Sequence, residues 1–335
     1  MNEELNFVSI GDITTDAFIK IKEADIRDNG DNEKPVICFS FADKVPYEFA
    51  EIVPAVGNSA NAAVSAKRLG LNSAFVSNVG DDENGKECLK TLEKNNIATD
   101  YIKVHIDKKT NYHYVLWYKA DRTILVNHEQ YDYQMPDVGS PKWMYLSSLA
   151  SNSLPFHKEI AGYLKTHPEI KLAFQPGTFQ MQLGYEQLKD IYKSTEVFFC
   201  NVQEAKRILG GAGKDVSDVE IKDLLKMMHD LGPKIVVITD GPDGAFTYDG
   251  SEMWTIPMYP DPKPPVDRTG AGDSFSSTFV VALGLGKTIP EALMWGPINS
   301  MSVVQHIGAQ KGLLTREELE KFLTEAPDYY KPTRI

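Results

Sequence analysis

Between residues 143 and 239 the chain repeats one pattern. A short apolar run is followed by a stretch of helical spacing, then by another apolar run. The runs span 143–149, 170–174, 196–200 and 234–239. Short runs without polar alternation read as strands buried on both faces, and strands separated by helices read as a mostly parallel sheet. Before the last run, Ile221, Leu224, Leu225 and Met228 recur at i, i+3, i+4, i+7, and Ser217 with Glu220 predicts a capping box; Thr315 with Glu318 predicts another. The same alternation opens the chain, with strands over 5–10 and 73–79 and helices over 59–69 and 83–95. Gly70 is the expected helix stop. In such sheets ligands bind beyond the carboxyl ends of the strands, so chemistry is expected in the loops that follow them.

Three regions depart from this pattern. Residues 16–23, 35–41 and 101–127 are rich in β-branched and aromatic side chains, above all from Asn111 to Tyr118 and from Thr123 to Val126. They predict a small sheet apart from the main body, with a turn at Lys119-Ala120-Asp121-Arg122.

Charge narrows the functional classes. There are 35 Lys and Arg against 47 Asp and Glu, a formal net charge of −12. Such a chain lacks the excess cation that non-specific nucleic-acid binding needs. Cys38, Cys88 and Cys200 are an odd, widely spaced set, which fits a reducing compartment. Met1-Asn2-Glu3-Glu4 carries no basic segment, and no run approaches the ~20 apolar residues of a membrane span. A soluble, cytoplasmic protein with no membrane partner is expected. Gly210-Gly211-Ala212-Gly213-Lys214-Asp215 has the look of a phosphate loop, but Asp215 stands where Ser or Thr should be, so it reads as a helix exit. The seven histidines form no HxxxH or HxxH pair.

The most informative segment is Asp267-Arg268-Thr269-Gly270-Ala271-Gly272-Asp273, followed by a helical stretch over 274–283. Small residues let a ligand approach the backbone, and free N–H groups at a helix start attract phosphate. Asp273 beside such a turn is either an ordinary first-turn acid or a proton acceptor working next to an anion site. Further landmarks occur in order. They are Gly11-Asp12-Ile13-Thr14-Thr15-Asp16, Val56-Gly57-Asn58-Ser59-Ala60-Asn61, Val79-Gly80-Asp81-Asp82-Glu83-Asn84-Gly85, Asn201-Val202-Gln203-Glu204, Thr239-Asp240-Gly241-Pro242-Asp243-Gly244 and Gly308-Ala309.

Together these segments resemble the signatures of the ribokinase-like, or PfkB, carbohydrate and nucleoside kinases over roughly residues 5–325. Arg268 takes a position that is often Thr in that family, and Val56 replaces the first Gly of a Gly-Gly pair. The resemblance implies a three-layer α/β/α fold over 1–335 with a mostly parallel central sheet. It also implies a small β-sheet lid, expected from segments 16–23, 35–49 and 101–128. It implies an ATP- and Mg²⁺-dependent kinase acting on an alcohol. Asp273 would be the general base, with the amides of Gly270, Ala271 and Gly272 as the anion hole. Asp16, Gly57 and Asn61 would bind the acceptor. Asn201 and Glu204 would organise Mg²⁺ through water, and Thr239, Gly241 and Gly244 would contact the nucleotide. Asp267, Thr269, Val303, His306 and Gly308 would form a monovalent-cation loop, for K⁺. A homodimer through the lid is expected.

Each landmark alone has a plainer reading. Asp16 could be a solvated turn acid, Asn61 a helix-surface residue, Asn201 with Glu204 an N-cap pair, and Gly241 with Gly244 a hairpin. Their joint order favours the kinase. The acceptor stays open among ribose, fructose, a keto-sugar acid, a sugar phosphate and a nucleoside; a catalytically silent sugar- or nucleotide-binding regulator is the reading from another class. Arg122 could pair with an anionic group on the acceptor, or simply be a solvated turn residue.

Overall fold

The computed structural model describes residues 5–30, 35–119 and 121–335. Ten strands make the main sheet. Their spatial order is Thr333–Arg334, Met253–Ile256, Ala245–Tyr248, Ile235–Thr239, Thr195–Asn201, Lys171–Phe174, Trp143–Leu146, Phe7–Ile10, Ser73–Gly80 and Ile102–His105. The run from Ile235–Thr239 to Ile102–His105 is parallel throughout, and the other three strands are antiparallel.

Both faces of the parallel part are covered, as its unbroken apolar runs demand. Met144 and Leu146, Phe198 and Cys200, and Val236 and Ile238 pack toward one core. Helices Leu154–Thr166, Tyr185–Ser194, Val202–Gly211 and Ile221–His229 close that side. The alternate residues Trp143, Tyr145, Val197, Phe199 and Val237 pack toward a second core. That core is closed by Asn58–Arg68, Ala271–Gly284, Ile289–Val303 and Arg316–Thr324. The period-2 alternation of strand side chains thus feeds both layers, giving the expected three-layer α/β/α arrangement.

A second sheet of four strands stands apart, in the order Tyr47–Val56, Thr14–Ile21, Asn111–Tyr118 and Asp121–Leu125. Its composition differs in part from the segments expected for it. Ile102–His105 pairs in parallel with Ser73–Gly80 and so extends the main sheet. Val36–Cys38 pairs with Asp25–Arg27 in a separate two-stranded ribbon. Of the turn expected at 119–122, Ala120 lies outside the described residues, as do Met1-Asn2-Glu3-Glu4.

Local punctuation was legible in most places. Helix Asn58–Arg68 ends before Gly70, whose φ is +100°. Thr315 and Glu318 form the expected capping box. The pair at Ser217 does not: the helix starts at Ile221 with Glu220 as its N-cap, and the Ser217 hydroxyl donates instead to Asp215. That short-range bond satisfies the serine without a helix to cap. Residues 210–215 leave the helix Val202–Gly211, as expected, with Gly213 at φ +76°. Among the described residues no helix is long and apolar enough to cross a membrane.

Helix Ala271–Gly284 is held to the sheet by Phe279, fully buried edge-on against Phe199 at 5.6 Å and stacked near Phe275. Phe279→Ala should lower unfolding stability by about 3–5 kcal/mol, the usual cost of emptying a rigid aromatic site. Urea denaturation measures this, and a loss under about 1 kcal/mol would show that the helix is not anchored there.

Candidate active site

The helix expected over 274–283 begins three residues earlier, at Ala271, with Gly270 as its N-cap. Gly270 has φ +80°, and a Cβ there would lie 2.3 Å from the Ala309 Cβ. Only glycine satisfies both the left-handed backbone and the close approach of the 309 loop. The Ala271 amide donates to the Arg268 carbonyl at 3.4 Å, and the next N–H groups, of Gly272 and Asp273, have no intrahelical acceptor, so the helix opens with free donors and the positive end of its dipole.

Asp273 is buried in that first turn. The Asn61 amide donates to its Oδ2 at 2.9 Å, and the Gln175 amide donates to its Oδ1 at 3.1 Å. Burial pushes the Asp273 carboxyl above its ordinary range; the two amide bonds and the charge of Arg122 pull it back. Both amides are themselves oriented. Gln310 donates to Asn61 Oδ1 at 3.0 Å and to the Ala55 carbonyl at 2.7 Å. Tyr145 donates to Gln175 Oε1, as does Ser276 at 3.0 Å. Sequence reasoning missed Gln175, Gln310, Tyr145 and Ser276. Gln175 directly follows the strand Lys171–Phe174, so the carboxyl-end rule pointed to it. Gln310 carried no local signal.

A cavity of about 590 Å³ opens in front of Asp273. Asp16, Gly57, Asn61, Asn201 and Glu204 line it together with Gly270 and Gly272. The plainer readings were a solvated turn acid for Asp16 and a helix-surface residue for Asn61. Asp16 instead lies within the strand Thr14–Ile21, and Asn61 in the first turn of Asn58–Arg68. Asp16 is buried, its Oδ1 has no hydrogen-bond partner, and His113 Nδ1, in register on the neighbouring strand, stands 3.3 Å away. Oδ1 is turned toward His113, and the Asp16 carboxylate lines the cavity wall, where a carboxylate can accept from a ligand hydroxyl. Gly57 has φ +117°, and a Cβ there would meet the Asp12 carbonyl at 2.7 Å. Asp12 was not anticipated in a site role; it accepts from the Tyr133 hydroxyl at 2.8 Å and faces His128 at 3.2 Å. Among the described residues lining this cavity, Phe39, Phe41, Tyr112, Tyr114 and Trp117 do not occur. Tyr112 and Tyr114 pack edge-on against each other, and Trp117 is buried under Phe49 and Lys20.

A second cavity of about 490 Å³ lies on the other side of the turn. Thr239, Gly241 and Gly244 line it with the apolar residues Met258, Pro297, Met301 and Val304. The two cavities share Thr239, Arg268, Gly272 and Phe275, so they meet at the helix start. Asn299 is not part of either; it is buried, donating to Thr278 and accepting from the Leu314 amide.

Asn201 and Glu204 form a capping box, each side chain accepting from the other's amide at 2.9 Å. The plainer reading of this pair therefore holds. Yet the Glu204 carboxylate also lines the first cavity, and burial, with the nearby Asp273 charge, holds it above its usual range. One of its oxygens, Oε2, is used by the cap. Hard oxygen donors under mutual repulsion suit a hydrated Mg²⁺. In the 267–308 region, Asp267 Oδ1 accepts from the Thr269 amide and hydroxyl, and Oδ2 from the Gly308 amide. The Val303 carbonyl accepts from the His306 amide at 3.1 Å. Asp267 thus ties the turn to the loop that packs behind Gly270.

Hydrogen bonds from both amides favour the ionised form of Asp273. Asn61→Ala removes one donor, so the carboxyl should titrate at higher pH. Carbon NMR of labelled aspartate reads this directly, and an unchanged or lower titration point would mean that Asn61 does not stabilise the charge.

The chain resembles known proteins along most of its length. Residues 53–316 match the model of the pfkB family carbohydrate kinases. The chain is 29% identical over 266 residues to an ATP-dependent 6-phosphofructokinase of Thermoanaerobacterium thermosaccharolyticum, covering 76% of this chain and 80% of that protein. It is 29% identical over 274 residues to a ribokinase of Bacillus subtilis, covering 80% and 87%. The solved structure of Arabidopsis thaliana ribokinase complexed with ribose and ATP superposes with a TM-score of 0.76 at 19% identity, covering 96% of this chain and 99% of that one. A fold shared along nearly the whole chain and a family match over residues 53–316 lead to one assignment: the chain belongs to the pfkB family of carbohydrate kinases.

Proposed function

We propose that the protein moves the γ-phosphoryl of ATP to a hydroxyl of a small sugar of the ribose, fructose or keto-sugar acid type. The observation that carries this reading is the meeting of the two cavities at Gly272, with the buried Asp273 carboxylate on the acceptor side. ATP lies in the second cavity, its base among Met258, Pro297, Met301 and Val304 and its phosphates toward the helix start. Thr239, Gly241 and Gly244 hold the nucleotide along the way. The acceptor lies in the first cavity, with hydroxyls on Asp16 and Asn61 and close to the Gly57 backbone.

Asp273 takes the proton of the attacking hydroxyl, and the amides around Gly270, Ala271 and Gly272 hold the charge of the moving phosphoryl. Asn61 and Gln175 keep Asp273 ionised until it acts. Mg²⁺, held through water by Glu204 beside Asn201, supplies charge neutralisation for the phosphates when bound. The loop of Asp267, Thr269, Val303, His306 and Gly308 is a site for a monovalent cation such as K⁺, which would stiffen the turn from behind. The four-stranded sheet acts as a lid that excludes water from the acceptor cavity.

An ATP-consumption screen over sugars, sugar phosphates, keto-acids and nucleosides, with Mg²⁺ and with or without K⁺, tests the reading. Acceptor-dependent turnover with a sugar is expected; turnover only with nucleosides would shift the acceptor class, and none at all would favour a silent binding protein. Asp273→Asn should lower kcat by about 10²–10⁴ while leaving nucleotide affinity nearly intact. Near-normal turnover in that variant would remove Asp273 from the mechanism.

The lid carries an unusual share of exposed apolar surface. Phe41 is fully exposed, and Tyr47, Ile52, Tyr114 and Leu125 are about half exposed or more. A second copy covering this face would bury it, so the working form is proposed as a homodimer through the lid. Sedimentation equilibrium at micromolar concentration should give a dimer, and a Phe41→Glu, Ile52→Glu variant a monomer. A wild-type monomer would refute the lid interface.

A further inference from the structure

The Arg122 side chain is 28% exposed, yet among the described residues its guanidinium makes no hydrogen bond. Its nearest anion is Asp267 Oδ1 at 4.0 Å, beyond hydrogen-bonding distance. A guanidinium carries five donors, and here they reach the cavity instead of a protein acceptor, so they stay available to a bound ligand. Such a group is a preformed partner for an anion that the polypeptide does not supply.

Its position says which anion. Asp267 and Asp273 lie three residues to either side of Gly270, so two buried carboxylates flank the turn where a phosphoryl group must sit. Glu204 faces the same cavity. The amides alone would have to draw an anion in against these charges. Arg122 is the cation that answers them from across the cavity: it is close to Asp267, its charge is felt at Asp273, and it lines the cavity with Gly270 and Gly272. Arg268 lies on the turn itself and is shared with the nucleotide cavity, where its charge is felt at Asp261. Asp267 belongs to the turn and not to the acceptor wall, so the Arg122 guanidinium lies at the turn end of the cavity.

The strand supplies the aim. Asp121–Leu125 belongs to the small sheet, and Arg122, Ile124 and Val126 share the cavity-facing side by simple alternation. Arg122 pairs in register with Trp117, which is buried. The guanidinium is therefore mounted on the small sheet while every other group of the cradle is mounted on the main body.

Resting on the phosphotransfer reading above, we propose that Arg122 is a catalytic residue, a lid-borne arginine that binds the oxygens of the transferring phosphoryl group. In the step it serves, a bond forms between the acceptor oxygen and Pγ while the bond from Pγ to the β,γ-bridging oxygen breaks. The electron pair of the broken bond stays on ADP, and the acceptor proton goes to Asp273. Arg122 balances the negative charge spread over the three phosphoryl oxygens, with the planar fork that suits them. Because it arrives on the lid, the cradle is complete only when the lid is down. ATP would then be spent on an enclosed acceptor rather than on water.

The test uses the full chain with Arg122→Gln and Arg122→Lys. Calorimetry of Mg²⁺ and ADP, with and without aluminium fluoride as the phosphoryl mimic, should show that the wild type tightens when fluoride complex is present. Arg122→Gln should keep ADP affinity within about threefold and lose about 10–10²-fold of that tightening. With the best acceptor from the screen, Arg122→Gln should lower kcat by about 10²–10³ with little change in acceptor KM, and Arg122→Lys should restore part of it. A rise in acceptor KM alone would assign Arg122 to an anionic group on the acceptor and overturn the proposal. So would unchanged kinetics, or loss of plain ADP binding in both variants. If the wild type neither tightens with aluminium fluoride nor consumes ATP with any acceptor, the phosphotransfer reading itself fails.

Discussion

The carboxylate of Asp273 accepts one amide N–H from Asn61 and one from Gln175, partners 212 and 98 residues distant in sequence. Those two bonds join the helix Ala271–Gly284, the helix Asn58–Arg68 and the loop after the strand Lys171–Phe174. A carboxylate buried at a helix start loses its hydration, which disfavours its charge. It is tolerable because both oxygens are occupied by donors and because the helix dipole favours negative charge at that end. Each donor is in turn fixed. Gln310 holds Asn61 from one side, while Tyr145 and Ser276 hold Gln175 from the other. The site is a network whose members come from across the chain, which makes its geometry stiff.

The division of labour follows from the architecture. The main sheet and its helices form the glycine turn, hold Asp273 and enclose the apolar cavity behind it. The small sheet presents Asp16, His113 and Arg122 to the same cavity from above. Contacts between the two include polar ones, Asp12 with His128 at 3.2 Å and Arg122 near Asp267, and apolar ones at the root of the small sheet, where Ala55 packs with Ala60, Ala63 and Cys88. Polar contacts of this kind can be exchanged for ligand contacts at little cost, whereas the apolar packing under Phe279 cannot.

Much of the framework was readable before any coordinates. The unbroken apolar runs forced a sheet covered on both faces, and Gly70, Thr315 and Glu318 marked helix ends where the structure has them. The Gly270-Ala271-Gly272-Asp273 turn stood out because small residues followed by a helix leave few conformations open. Misreadings came where a local pattern had a second local solution. Ser217 found Asp215 rather than a helix to cap, and 102–105 extended the large sheet although its composition suited the small one. Asp16 looked like a loop residue because a strand carrying an acid on its inner face has the same short-range pattern as a turn.

Sequence alone determined the layered fold, the glycine turn before a helix and the ordered set of landmarks that name the family, since each rests on contacts within a few residues or on strict alternation. Only the tertiary structure decided what touches Asp273, that Asn61 and Gln175 meet there, that Asp16 faces His113 at the cavity wall and that Arg122 comes near the turn. Those facts depend on side chains from separate elements converging within about 3–4 Å, as hydrogen bonds and ion pairs require. No pattern in one stretch of chain encodes where another stretch will come to rest beside it.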